Sequence, residues 1–174
     1  IKIVSFLVLG LFLPSSCTHS PDLKRPEKTV ITTSSVSKPK KIIKKLITVK
    51  SDAKGTIGQC SLPGELLTPS GTPKGLVLII HGSGPLNMDG SIAGGYSLYK
   101  DLAHSLAKGG YVSFRYGKRS SIKKCAKTFL KEASPQIFID DAVHVANYLM
   151  KQSIHNKLPL FILGHSQGAG FAAE

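Results

Sequence analysis

Leu160-Phe161-Ile162-Leu163-Gly164-His165-Ser166-Gln167-Gly168-Ala169-Gly170-Phe171-Ala172-Ala173 is the stretch on which the fold turns. Its first four residues are apolar without polar alternation, as expected of a strand covered on both faces. Its last residues are small or apolar and read as the start of a helix. Between them lies the pattern G-x-S-x-G. A chain that leaves a strand and enters a helix this sharply holds its central residue in a strained conformation, and side chains two before and two after would collide unless they were glycine. The strain lifts the Ser166 hydroxyl above the sheet edge, and the helix beyond it aims free backbone N–H groups at negative charge accumulating there. Glycine and serine are common, so the bare pattern carries little. The strand–turn–helix context makes it specific.

Working outward, Leu76-Val77-Leu78-Ile79-Ile80 is a second buried parallel strand, and it runs into the loop His81–Gly95. Leu98, Leu102 and Leu106 recur every four residues with Ala103 and Ala107 beside them, and Gly109-Gly110 follows, predicting an amphipathic helix with a glycine cap. Tyr111 to Tyr116 reads as another strand. Phe138, Ala142, Val145 and Leu149 mark a further helix, with Asp140 and Asp141 expected near its N-terminal end to complement the dipole. Lys45–Lys50 and Gly55–Thr68 read as an antiparallel opening, with turn signals at Asp52-Ala53-Lys54-Gly55 and Leu62-Pro63-Gly64. Alternation of strand and helix predicts an α/β fold: a mostly parallel sheet with helices on both faces.

The loop His81-Gly82-Ser83-Gly84-Pro85 after one central strand and Gly-His-Ser-Gln-Gly after a later one together resemble the α/β-hydrolase fold. Tyr99-Lys100-Asp101-Leu102-Ala103, Phe114-Arg115-Tyr116-Gly117-Lys118-Arg119 and Asp140-Asp141-Ala142 extend the likeness to a group of bacterial esterase-like members, in which Asp usually stands at the place of Gly117. The resemblance covers about residues 55 to 174, the N-terminal half of that fold through the nucleophile elbow. It implies attack by Ser166 on an ester, thioester or amide carbonyl through an acyl-enzyme. It also implies an oxyanion hole built from the backbone N–H groups of Ser83 and Gln167, and neither metal nor organic cofactor. The substrate would be a small acyl ester or a peptide.

In this family the chain order is serine, acid, histidine. Only eight residues follow Ser166, and they contain no histidine. His165 adjoins the nucleophile, but neighbours in such a turn project in different directions; His81 belongs to the oxyanion loop, where it braces the turn. His104 and His144 fall on helices and His155 in a polar turn. The expectation is therefore a fragment without its base and acid, inactive as it stands. A non-catalytic envelope protein on the same scaffold, or the inactive product of a truncated gene, is the competing reading. The first residue, Ile rather than Met, fits either a fragment or an unusual start codon with a broken C-terminal end.

Of the 174 residues, 23 are Lys or Arg and 10 are Asp or Glu, a formal charge of +13. Between Ser20 and Lys54, ten basic residues face three acidic ones, so over half of the excess sits in a fifth of the chain. That distribution does not describe a uniformly basic nucleic-acid-binding domain. Ile3 to Leu13 is an apolar run of eleven residues after Lys2. A bilayer core needs about 20 helical residues, so the run matches a signal-peptide core instead. Leu13-Pro14-Ser15-Ser16-Cys17 resembles the bacterial lipoprotein signal, which implies lipidation at Cys17; cleavage by an ordinary signal peptidase and an uncleaved anchor are the alternatives. Residues 1–17 then form a leader, 18–44 a basic tether rich in Ser, Thr, Pro and Lys, and 45–174 the hydrolase part. Beside an acylated cysteine such a tether would lie against anionic lipid at the cell envelope, each Lys or Arg contributing about 1 kcal/mol; a solvated spacer is the alternative. With Cys17 acylated, Cys60 and Cys125 remain, either as a disulfide allowed by export or as two separate thiols. No Cys or His pair has metal-ligand spacing. The stretch Lys118–Lys131 brings six positive charges to the end of a strand, either as a solvated loop or as a selector of anionic substrate or membrane.

Overall fold

Strand alternation decides which helix covers which face of the sheet. A computed structural model describes residues 41–52, 58–91, 96–129, 134–152 and 157–174; the leader, Cys17, nearly all of the tether and His155 lie outside them. Five strands, β1 (Ile42–Asp52), β2 (Gln59–Pro69), β3 (Leu76–Ile80), β4 (Val112–Tyr116) and β5 (Leu160–Gly164), form one sheet in the order β1-β2-β4-β3-β5. β1 and β2 pair antiparallel, as does β2 with β4, whereas β4, β3 and β5 run parallel. The antiparallel opening and the parallel centre are thus both present in one mixed sheet. β1 begins at Ile42, ahead of the expected domain start at residue 45.

All five residues of β3 are buried. Leu76, Leu78 and Ile80 point to one face, and Ile79 points to the other. Each such aliphatic contributes roughly 1.5–3 kcal/mol on leaving water. The first face is covered by α2 (Lys123–Phe129), α3 (Pro135–Lys151) and α4 (Gln167–Ala173), which add Cys125, Ala142, Val145, Leu149 and Phe171 to its core. The second is covered by α1 (Leu98–Lys108). Helices therefore lie on both faces. A disulfide joins Cys60 of β2 to Cys125 of α2, which decides between the two readings of these cysteines.

Four sequence expectations are corrected. Leu62-Pro63-Gly64 is no turn: it lies inside the continuous strand β2. The Pro63 carbonyl accepts from Gly117 N–H at 2.7 Å on the β4 side, so the N–H that proline lacks is missing from that side and the ladder to β1 is intact. Gly64 is required there because a Cβ would meet the Phe114 ring and, at 2.7 Å, the Arg115 carbonyl. In α1 the fully buried row is Tyr99, Ala103 and Ala107, while Leu98 is 42% exposed; small side chains let the helix lie close to the sheet, which turns the leucine row toward the rim. α3 starts at Pro135 with Ser134 as its cap, the Ser134 hydroxyl accepting from Gln136 N–H at 3.2 Å. Asp140 and Asp141 accordingly sit a turn further in than the dipole argument required.

The fourth correction concerns the basic stretch after β4. It is not a solvated loop throughout. Lys118 is 5% and Arg119 0% exposed, and the chain then enters a short 3-10 turn (Arg119–Ser121) and α2. Arg119 donates from Nε and Nη2 to the two oxygens of Asp141 at 2.9 and 2.7 Å, and further to the Gly58 carbonyl at 3.0 Å. Such a fork holds β1–β2, the turn and α3 together, which is why a guanidinium is tolerated without water. Lys123, Lys124 and Lys127 remain exposed.

Candidate active site

Ser166 has φ 54° and ψ −123°, and among the described residues it is the only non-glycine with positive φ. A conformation of this kind costs on the order of 1–3 kcal/mol and persists only where packing enforces it. The enforcement comes from two glycines. A Cβ on Gly164 would overlap the Gly168 backbone, with the Ala169 Cα at 2.5 Å, and a Cβ on Gly168 would strike the His81 carbonyl and, at 2.5 Å, that of Ile80. β5, α4 and the end of β3 thus interlock at van der Waals contact, and Ser166 is lifted into an exposed position. His165 N–H donates to the Ile80 carbonyl at 3.1 Å, tying the elbow to the neighbouring strand.

The loop after β3 abuts the elbow. A Cβ on Gly82 would stand 3.2 Å from both the His165 carbonyl and the Ser166 Cβ. Gly82 is buried and Ser83 exposed beside it. Neither the Ser83 nor the Gln167 backbone N–H donates to another group among the described residues. The structure therefore brings Ser83, Ser166 and Gln167 to one place with two backbone donors uncommitted.

Around this point runs a polar network that motif reasoning did not reveal. Gly82 N–H donates to the Tyr99 hydroxyl at 2.8 Å, and the same hydroxyl stands 3.1 Å from His165 Nδ1. Burial raises the Tyr99 pKa, which keeps the phenol protonated and able to donate to His165. Lys118 Nζ donates to the Gly82 carbonyl at 2.7 Å and to Gln167 Oε1 at 3.3 Å, and lies 4.3 Å from the centre of the Phe138 ring. Burial lowers the Lys118 pKa. Arg115 donates to Glu65 at 2.7 Å and to Asp89 at 2.8 Å, and the Asp89 carbonyl accepts from Tyr99 N–H at the start of α1, so the loop is fixed at its far end too.

Among the described residues no hydrogen bond joins the Ser166 hydroxyl to a histidine. His81 is buried edge-on between Tyr99 and Tyr116, and burial, reinforced by the Lys118 charge, lowers its pKa to about 3. It is neutral at physiological pH and packs beneath the loop. His144 Nδ1 lies 2.7 Å from the Asp140 carbonyl on α3. Beside the elbow opens a groove of about 460 Å³ with Pro85, Ala126, Phe129 and Phe138 as apolar walls and Lys118 and Gln167 at its polar edge. Among the described residues no three or more His, Cys, Asp or Glu stand close enough to hold a metal ion.

This architecture is shared with solved hydrolases. A lipase in its open form superposes with a TM-score of 0.55 at 19% identity, over 73% of this chain and 38% of that one. A dienelactone hydrolase from Anabaena variabilis gives a TM-score of 0.55 at 17% identity, over 74% of this chain and 55% of its own. The chain has the α/β-hydrolase fold. In sequence, 114 residues are 34% identical to esterase EstD of Thermotoga maritima, 65% of this chain against 26% of that protein. The chain thus spans about a quarter of the length of that curated relative. No protein-family model matches it.

Proposed function

We propose that this chain carries the nucleophile and oxyanion hole of an exported serine hydrolase that cleaves esters through an acyl-enzyme. The observation that carries the reading is the backbone of Ser166, held in a strained conformation by two glycine contacts so that its hydroxyl is exposed. Strain without a packing benefit at the strained residue marks a functional position. The similarity to an esterase over 114 residues supports an ester as substrate, and the apolar groove beside the elbow suits an acyl group.

In this reading the Ser166 oxygen bonds to the ester carbonyl carbon while its proton passes to a general base. The carbonyl oxygen becomes an oxyanion facing the Ser83 and Gln167 N–H groups. Collapse breaks the carbon–alkoxy bond, the base returns its proton to the departing alcohol, and water then releases the acid by the same steps in reverse. In this reading the base and its carboxylate partner, which are not among the described residues, are supplied by sequence outside the quarter of the esterase's length that this chain matches. The 174-residue polypeptide is then inactive by itself, since a serine hydroxyl without a base is a poor nucleophile. A fluorophosphonate probe should label Ser166 in the full-length protein and leave the isolated chain unlabelled. Failure to label the full-length protein, or labelling that survives Ser166→Ala, would overturn the assignment.

Export and anchoring extend the proposal. The Cys60–Cys125 disulfide supports residence in an oxidising compartment. Acylation at Cys17, with the basic tether against anionic lipid, would hold the protein at the envelope. Metabolic labelling with a clickable fatty acid tests this: the label should disappear in Cys17→Ala, and an unlabelled wild-type protein would end the lipoprotein reading.

A further inference from the structure

Lys118 is buried, charged and, among the described residues, without a carboxylate at ion-pair distance. An ammonium in such a place must spend its three N–H donors well. One goes to the Gly82 carbonyl at 2.7 Å, one to Gln167 Oε1 at 3.3 Å, and the charge lies over the face of Phe138, itself stacked on Phe171 of α4. The first two partners belong to the two segments that supply the oxyanion donors. The Gly82 carbonyl and the Ser83 N–H share one trans peptide unit, so they point in opposite directions across it. Whatever grips the carbonyl sets the direction of the N–H. The neighbouring Gly82 N–H is held by Tyr99 at 2.8 Å, so Gly82 is pinned at both of its polar groups while Ser83 stays exposed.

We propose that Lys118 is a positioning residue for the oxyanion hole: it grips the Gly82 carbonyl to aim the Ser83 N–H at the reacting oxygen, and holds Gln167 to keep the second donor in register. The inference rests on the hydrolase reading above. A cation on the carbonyl also polarises the peptide, making its N–H a stronger donor toward an anion than toward a neutral carbonyl. The benefit therefore falls on the transition state and not on bound substrate. A lysine serving only the core would affect folding and leave this distinction untouched.

The test uses the full-length protein with a short-chain p-nitrophenyl ester and an alkyl boronic acid, which places a negative oxygen in the oxyanion hole. Lys118→Met and Lys118→Gln should lower kcat about 10- to 100-fold, less than complete loss of one oxyanion donor, with KM changed by less than about threefold. Boronate affinity should fall in parallel with kcat. Lys118→Arg, which keeps charge and donors, should recover most of both. A folded neutral variant with wild-type kcat, or one changed only in KM, overturns the proposal. Should the neutral variants not fold, the wild-type protein carries the test: boronate must shift the Lys118 Nζ resonance, and an indifferent resonance overturns the proposal. Ser166→Ala separates the two readings, because activity surviving that substitution removes the hydrolase assignment itself, whereas its loss beside a silent Lys118→Met removes only the role of Lys118.

Discussion

The elbow at Ser166 and the turn at Arg119 both hold a residue where it is costly to be, and they resolve the cost in opposite ways. At Arg119 the cost is desolvation of a charge, and it is offset on the spot by both oxygens of Asp141 and the Gly58 carbonyl. At Ser166 the cost is backbone strain, and nothing local offsets it: the hydroxyl has no partner among the described residues and the residue is exposed. A compensated cost is architecture. An uncompensated one, maintained by packing from two strands and a helix, is what motivates the proposed site. Lys118 stands between the two, buried like its neighbour Arg119 yet directed to Gly82 and Gln167 beside the elbow.

The comparison breaks most decisively at Ser166. Ser166→Ala in the full-length protein should reduce ester hydrolysis by about 10⁴-fold or more while its thermal midpoint stays within a few degrees of wild type. A large loss of stability with retained activity would make the elbow structural. The reverse pattern is expected at Asp141→Ala, which leaves Arg119 buried without its carboxylate; urea denaturation should show a loss of about 3–5 kcal/mol. A loss under about 1 kcal/mol would mean that Arg119 reaches water and that the contrast is not real. Removing the disulfide with Cys60→Ser and Cys125→Ser should cost about 2–5 kcal/mol, since it closes a loop across a sequence separation of 65 residues. Equal melting of wild type with and without reductant would contradict it.

Acid probes His81, which lies beneath both regions. Its imidazole takes up a proton near pH 6.5 when unfolded but only near 3 when folded. The unfolded state therefore binds the extra proton between these values, and stability is full above about 6.5 and falls as the pH drops toward 3. By pH 4 the loss should be about 3 kcal/mol, and His81→Gln should flatten that part of the profile. Denaturation curves of the two proteins at pH 7 and pH 4 decide it; parallel losses would place the acid sensitivity elsewhere. Smallest is Ser134→Ala at the start of α3, expected to cost about 1 kcal/mol through loss of the cap to Gln136.

Much of this was legible beforehand where the signal is local. The five aliphatics of β3, the glycines of the elbow and the two loops that meet there follow from short-range sterics and periodicity. Leu62-Pro63-Gly64 misled because proline and glycine usually break a strand. Here the missing N–H and the missing Cβ serve close pairing with β4, a partner about fifty residues away in sequence. Lys118 and Arg119 misled for the same reason. In a run of lysines their charge reads as solvated, and Asp141, singled out for the helix dipole, gave no sign that it faces Arg119.

The sequence by itself determined the alternation of elements, the strained serine and its glycine neighbours, because each depends on residues within a few positions of one another. Only the tertiary structure decided that Cys60 meets Cys125, that Arg119 is neutralised by Asp141 and that Lys118 reaches Gly82 and Gln167. Charges and thiols have no intrinsic address. Their role is fixed by which partner the packed sheet brings within about 3 Å, and that is a property of the whole fold.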